Sequence, residues 1–129
     1  MGTALVTGAS SGLGEEFCWQ LAAARHNLVL VARREDKLRE IAEKIEAASG
    51  VHTEVLVADL GTARGRKAVA ERLRQDERPI GLLVNNAGFG LGVPFRENSM
   101  TAETKALDVM VRAVMELTHA AVNAMLSLI

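Results

Sequence analysis

The sequence contains no tyrosine, and its 129 residues include one cysteine and two prolines. A lone cysteine cannot form a disulfide within the chain, so we expect a cytoplasmic protein in a reducing compartment. Only four aromatic residues are present, which is too few for the base-stacking platforms of nucleic-acid binders. Fifteen basic and sixteen acidic residues nearly cancel, leaving a net charge of −1. We therefore expect no nucleic-acid partner.

Apolar residues make up 49% of the chain and charged residues 24%, as is typical of a globular domain. The uncharged run at 117–129 has 13 residues and is shorter than a bilayer span, so no membrane partner is expected. The three histidines have no metal-ligand spacing, so no metal site is expected either. Residues 1–129 are expected to form a single domain with its own core.

Short apolar runs alternate with amphipathic stretches along the chain. Buried strands are predicted at 3–7, 27–32, 53–58 and 80–84. Helices are predicted at about 13–24, at 36–48, after Thr62 as a cap, and from about Thr101 onward. Gly50 stands where the second helix needs a glycine at its carboxyl end. This order predicts an α/β fold with a doubly wound parallel sheet and helices on both faces.

The last predicted helix carries more apolar residues than one stripe can hold. They are Leu107, Val109, Met110, Val111, Val114, Met115, Leu117, Val122, Met125, Leu126, Leu128 and Ile129. One face can pack on the sheet while another needs a second partner, either more polypeptide or another subunit. A wholly buried core helix is the alternative.

A glycine-rich turn, Thr-Gly-Ala-Ser-Ser-Gly-Leu-Gly at 7–14, follows the first strand. Glycine lets the backbone approach a ligand closely, and the following helix start presents free N–H groups to a phosphate. Directly after the first strand of a βαβ unit, the spacing predicts a dinucleotide site. Two alternatives remain, namely glycines that serve only packing and a hydrolase nucleophile elbow at Ser10. The elbow needs a strand before the first one, and only His119 is available as its histidine.

Three motifs together resemble the short-chain dehydrogenase/reductase family: the turn at 7–14, Asp59-Leu60 after the third strand, and Asn-Asn-Ala-Gly at 85–88 after the fourth. The resemblance covers essentially the whole chain but only the cofactor-binding first half of the family. It implies a Rossmann-like dinucleotide-binding domain that is incomplete. We expect four strands in the order 3-2-1-4, with the chain truncated before strand five.

By this resemblance, Gly8, Gly12 and Gly14 would hold the cofactor pyrophosphate, with Leu13 lining the turn. Asp59 would accept a hydrogen bond from the adenine amino group, and Leu60 would add a backbone contact. Residues 85–88 would lie along the adenosine ribose and the nicotinamide. The alternatives are a capping role for Asp59 in its own turn and sheet-edge hydrogen bonding for the two asparagines.

The end of the second strand bears on the choice of cofactor. An NAD site places an acid there to bind the ribose hydroxyls, whereas this strand ends Ala-Arg33-Arg34. Guanidinium groups bind phosphate in a bidentate way, and Ser10 is close enough in the loop to add a hydroxyl. We therefore expect NADP(H) rather than NAD(H), with Arg33 as the main determinant. An arginine on a solvated helix start is the alternative. The predicted cofactor-binding residues are Gly8, Ser10, Ser11, Gly12, Leu13, Gly14, Arg33, Arg34, Asp59, Leu60, Asn85, Asn86, Ala87 and Gly88.

The chain departs from the family in its proton-transfer residues. The family uses a tyrosine, a lysine four residues later and a serine, all after strand five, so no catalytic residue is assigned here. The family also has an asparagine in the helix after strand four. Met110 stands at that position, and a thioether cannot donate a hydrogen bond.

These observations favour an NADP(H)-dependent oxidoreductase that moves a hydride to or from a carbonyl or alcohol carbon of a small-molecule substrate. This chain would carry the cofactor-binding half and be inactive by itself. The alternative is a non-catalytic nucleotide-binding, sensor or oligomerisation module. The last helix and the apolar edge of the fourth strand predict a homo-oligomer.

Overall fold

The computed structural model describes residues 2–129, which form a four-stranded sheet covered by helices on both faces. The strands are β1 (Thr3–Thr7), β2 (Asn27–Ala32), β3 (Thr53–Val57) and β4 (Ile80–Val84). The helices are α1 (Gly12–Ala23), α2 (Glu35–Ser49), α3 (Ala63–Arg74), α4 (Met100–Leu107) and α5 (Ala113–Leu126). All paired strands are parallel, in the order β3-β2-β1-β4. The predicted doubly wound sheet and its strand order are confirmed.

The two central strands are buried on both faces. Leu5 and Val29 belong to a core shared with α3 and α5, whereas Val6 and Leu30 belong to a core shared with α1 and α2. Successive side chains of a strand point to opposite faces, so each strand contributes to both cores. This double burial is why β1 and β2 are nearly continuous apolar runs rather than alternating ones.

Two helix ends follow the predicted capping residues. Gly50 adopts a left-handed conformation with φ of 76° and donates its N–H to the Glu46 carbonyl, which ends α2. The Thr62 hydroxyl accepts a hydrogen bond from the Gly65 N–H and caps the start of α3. Both capping predictions are confirmed.

The last helix has one buried stripe and one exposed apolar stripe. It runs from α4 into α5 through a π-helical segment at Asp108–Arg112. Five of its buried residues pack in the core shared with α3, namely Val109, Ala113, Leu117, Ala120 and Ala121, and Ala106 is buried as well. Its exposed large apolar residues are Met100, Leu107, Met110, Val111, Val114, Met115, Val122 and Leu126. The wholly buried helix considered as an alternative is therefore wrong, and the exposed stripe is free to contact a partner.

The same helix bears on the expected absence of a membrane partner. The segment Met100–Leu126 spans 27 residues and, by length and composition, could cross a membrane. The expectation considered only the run at 117–129 and did not account for this longer helix. A core helix of a globular protein passes the same test, and the buried stripe of this helix contacts α3 and β4.

β4 lies at the edge of the sheet. Within residues 2–129 it pairs on one side only, with β1, and that pairing shifts register at Gly81. Gly81 and Leu82 are exposed. As expected, the strand presents free backbone groups on its outer side.

Candidate functional site

A cleft of about 600 Å³ lies at the carboxyl ends of the strands. β1 sits where the strand order reverses, between β2 and β4, and ligands of open α/β sheets bind at such a point. Of the fourteen residues predicted for the site, the structure places twelve in the lining of this cleft. The exceptions are Gly14 and Asn85. Gly14 is buried, and the Asn85 side chain points away from the cleft toward α5.

The turn after β1 depends on glycines for two different reasons. Gly8 and Gly12 have φ of 64° and 55°, a left-handed conformation that side chains with a Cβ rarely adopt. Gly14 is in the first turn of α1, and a Cβ there would lie 1.9 Å from the Gly8 carbonyl oxygen. Gly14 therefore lies beneath the turn rather than in the cleft. It lets α1 pack directly against the turn.

The start of α1 faces the cleft with backbone donors available. Ser11 is the N-cap residue, and its side chain accepts no hydrogen bond from the first turn of α1 in the part of the chain that the structure describes. The first N–H groups of a helix have no partner within the helix. Together with the positive end of the helix dipole, they make this end of the cleft suited to an anion.

Asn86 ties the loop after β4 to the end of β1. Its side-chain amide donates to the carbonyl oxygens of Thr7 and Gly8, at 3.2 and 3.3 Å. The Thr7 hydroxyl in turn accepts from the N–H groups of Asn86 and Ala87, both at 3.0 Å. Asn85 instead donates to the Thr118 hydroxyl on α5 at 3.1 Å. The sheet-edge hydrogen bonding considered for both asparagines is present for Asn86 alone, and Asn85 instead bonds to α5 and points away from the cleft.

Asp59 is held from two sides at the end of β3. One carboxylate oxygen accepts from the Gly61 N–H at 2.8 Å, and the other accepts from the Lys105 ammonium at 3.3 Å. Burial by itself raises the pKa of Asp59, but the Gly61 N–H and Lys105, with a contribution from Arg33, outweigh it and hold that pKa below its usual value. Asp59 therefore stabilises its own turn through Gly61, while the helix-capping role considered for it is taken by Thr62. The same carboxylate, charged at neutral pH, lines the cleft.

Cations gather where β2 ends. Arg33 and Arg34 line the cleft and are exposed, and Arg34 forms a long, exposed pair with Asp36 at 3.7 Å. Within residues 2–129, Arg33 forms no ion pair. Lys37, one turn into α2, joins them in the cleft lining and was missed by the sequence analysis. The available signal was its position three residues after Arg34, the N-cap residue of α2, because residues three apart on a helix are neighbours.

Neither Met110 nor the Ser10–His119 pair of the hydrolase alternative provides a proton-transfer arrangement in the cleft. Met110 packs against the loop after β4, with its sulfur 3.5 Å from where a Cβ on Gly88 would stand. Ser10 lines the cleft, whereas His119 is an exposed residue of α5 whose carbonyl accepts from Asn123. The structure therefore does not bring Ser10 and His119 together. Residues 2–129 also contain no group of three His, Cys, Asp or Glu placed to hold a metal ion.

The chain is similar in sequence and in structure to known proteins. A family model described as short chain dehydrogenase matches residues 2–128. The chain is 41% identical over 98 residues to the 11-beta-hydroxysteroid dehydrogenase of Pinus massoniana, and this match covers 76% of this chain and 28% of that protein. The short-chain dehydrogenase from Sphingobium yanoikuyae, solved in complex with NADPH, matches with a TM-score of 0.94 at 35% identity, over 98% of this chain and 50% of that one. L-sorbose reductase from Gluconobacter frateurii, complexed with NADPH and L-sorbose, matches with a TM-score of 0.90 at 31% identity, over 98% and 48%. This chain spans half or less of the length of each of these three proteins.

Proposed function

The chain belongs to the short-chain dehydrogenase/reductase family, and from this premise we propose that its cleft binds NADP(H) as the cofactor-binding part of an oxidoreductase. When bound, the cofactor supplies or accepts the hydride that moves to or from a carbonyl or alcohol carbon. The chain's own residues bind and orient it. The backbone around Gly12 would hold the pyrophosphate, and Asp59 and Leu60 would hold the adenine.

The observation that carries this proposal is the charge of the cleft where β2 ends. Arg33, Arg34 and Lys37 line it there, and Asp59, the one acidic residue that residues 2–129 contribute to the lining, is already paired with Lys105. An NAD site needs an acid at the strand end for the ribose hydroxyls, whereas a 2′-phosphate needs cations. The NADPH complexes of two similar proteins support the same choice.

Titration by calorimetry tests the cofactor choice. We expect the chain to bind NADPH at least about tenfold more tightly than NADH, and Arg33→Asp to lose about 10- to 100-fold in NADPH affinity, because a charge-assisted contact to phosphate is replaced by repulsion. Arg39→Asp is the matched control, because Arg39 lies on α2 outside the cleft and pairs with Glu35. An Arg33→Asp variant with unchanged NADPH affinity would remove Arg33 from the site. Binding of neither dinucleotide would contradict the proposed function.

We also propose that this chain does not transfer a hydride by itself. It contains no tyrosine, and Met110 cannot donate a hydrogen bond as an amide would, so nothing here handles the proton. With NADPH and a panel of ketones and aldehydes, the loss of reduced nicotinamide absorbance is expected to match the protein-free rate. Calorimetry on the same sample shows that the site is intact. A measurable reductase rate would contradict this proposal, whereas NADPH binding without turnover is the result that it predicts.

Self-association is the third part of the proposal. The exposed stripe of the last helix and the open edge of β4 are apolar surfaces that a second copy could cover. Light scattering is expected to show a dimer or larger species. Met115→Glu should shift it toward the monomer, whereas Ala47→Glu, on the exposed face of α2, should leave it unchanged. A monodisperse monomer of the unaltered chain at high concentration would count against self-association.

A further inference from the structure

We infer that Lys105 is a positioning residue for adenine recognition, and that it makes the cleft select a purine with an amino group over one with a carbonyl at the same place. The inference rests on the proposed function, because it assigns a specificity to the adenine end of the same cleft. It concerns a residue of the last helix, which lies outside the three cofactor motifs and 46 residues from Asp59.

The geometry holds the Asp59 carboxylate in one orientation. The Gly61 N–H binds one oxygen at 2.8 Å and the Lys105 ammonium binds the other at 3.3 Å. The Lys105 stem packs on the turn itself, since a Cβ on Gly61 would lie 2.8 Å from its Cε and 3.1 Å from its Cγ. The ammonium is therefore carried to the carboxylate by a packed stem rather than a freely moving one.

This arrangement leaves the carboxylate able to accept one more donor. Each carboxylate oxygen has two acceptor positions, and the side chain of Asp59 is 31% exposed where it lines the cleft. The amino group of adenine donates a hydrogen bond, whereas the carbonyl of hypoxanthine at the same position would face the carboxylate as a second acceptor. A fixed, charged carboxylate therefore discriminates between the two bases. A carboxylate that rotates, or that becomes protonated, discriminates less between adenine and hypoxanthine.

Lys105 helps to keep the Asp59 carboxylate both fixed in orientation and charged. Burial raises the pKa of Asp59 and thus favours the protonated form, which could donate to hypoxanthine; Lys105 and the Gly61 N–H counteract this. Without Lys105 one carboxylate oxygen has no partner among residues 2–129, and only the Gly61 N–H restricts rotation. A role limited to fastening α4 to the sheet is the alternative. The pair is 43% and 31% exposed, and pairs so exposed contribute little to stability.

The test compares two dinucleotides on four proteins. NADPH and its hypoxanthine analogue, reduced nicotinamide hypoxanthine dinucleotide phosphate, are titrated by calorimetry into the unaltered chain, Lys105→Met, Lys105→Arg and Lys44→Met. Lys44 is the matched control, because it is an exposed lysine paired with Glu40 on α2, away from the cleft. We expect the unaltered chain to prefer NADPH by about 10- to 100-fold, the effect of one hydrogen bond to a charged group.

Lys105→Met is expected to reduce this preference about fivefold or more, whereas Lys105→Arg and Lys44→Met keep it, because a charge-assisted hydrogen bond to Asp59 is lost only in the first. The pKa of the Asp59 carboxyl, followed by NMR, should rise in Lys105→Met. An unchanged preference in a folded Lys105→Met variant would overturn the inference and leave the proposed function standing. If Lys105→Met does not fold, Lys105→Leu, which keeps apolar packing on the turn without a charge or a hydrogen-bond donor, gives the same decision. If the unaltered chain binds neither dinucleotide, the proposed function fails and the inference with it.

Discussion

Replacing Gly14 by alanine is expected to abolish dinucleotide binding and to lower the free energy of unfolding by about 3 kcal/mol or more. The added Cβ would lie 1.9 Å from the Gly8 carbonyl oxygen and 2.5 Å from the Asn86 side-chain nitrogen. Both are too close for any contact, and the carbonyl belongs to backbone that cannot move away independently. α1 would have to withdraw from the turn and break the Asn86 contacts to Thr7 and Gly8. Urea unfolding gives the stability, and calorimetry with NADPH gives the binding.

Gly12→Ala is the matched control for this prediction. Gly12 has φ of 55°, and a Cβ there would meet nothing within 4 Å. We expect it to cost only about 1 kcal/mol of stability, the cost of a left-handed conformation for alanine. It should still weaken NADPH binding, because its methyl group would stand in the cleft lining. Equal stability losses in the two variants would show that close packing at Gly14 is not the constraint.

Replacing Glu116 by alanine is the second large effect. The Arg66 side chain is 8% exposed, and its Nε donates to a Glu116 carboxylate oxygen at 3.0 Å while its Nη1 donates to the Leu60 carbonyl at 3.2 Å. Removing the Glu116 carboxylate leaves the buried Arg66 guanidinium with only a carbonyl partner. Removing one member of a buried ion pair lowers the free energy of unfolding strongly, because the other charge stays buried without a counter-charge. Because Glu116 is 39% exposed, we expect a loss of about 2–3 kcal/mol rather than the full cost of a buried pair. Thermal unfolding should shift down by roughly 10 °C.

Two further variants identify the cause of this loss. Adding Arg66→Met to Glu116→Ala removes the unpaired cation and is expected to recover much of the stability. Glu40→Ala breaks an exposed pair with Lys44 on α2 and should leave the unfolding transition almost unchanged. If Glu116→Ala behaves like Glu40→Ala, the Arg66 pair does not hold α3 to the last helix.

The sheet was predictable because its signals are local. Buried strands of a parallel sheet are short apolar runs, and glycine or threonine marked the adjoining helix ends, so β1, β2 and β4 have the predicted bounds. Helices α1 and α2 each begin one residue earlier than predicted, since the ends of helices depend on single hydrogen bonds. The π-helical segment at Asp108–Arg112 was not predicted, because its residues also suit a regular α-helix.

The sequence by itself determined the family, because three motifs follow three strands whose carboxyl ends must meet at one edge of the sheet, and the resemblance to that family implied the strand order. Only the tertiary structure decided how those residues are used. It turned Asn85 toward Thr118, placed Gly14 beneath the turn and added Lys37 to the cations of the cleft. It also brought Lys105 to Asp59 across 46 residues of sequence. Such contacts depend on how the last helix packs on the sheet. This packing decides which side chains come within hydrogen-bond distance, and no local pattern of residues encodes it.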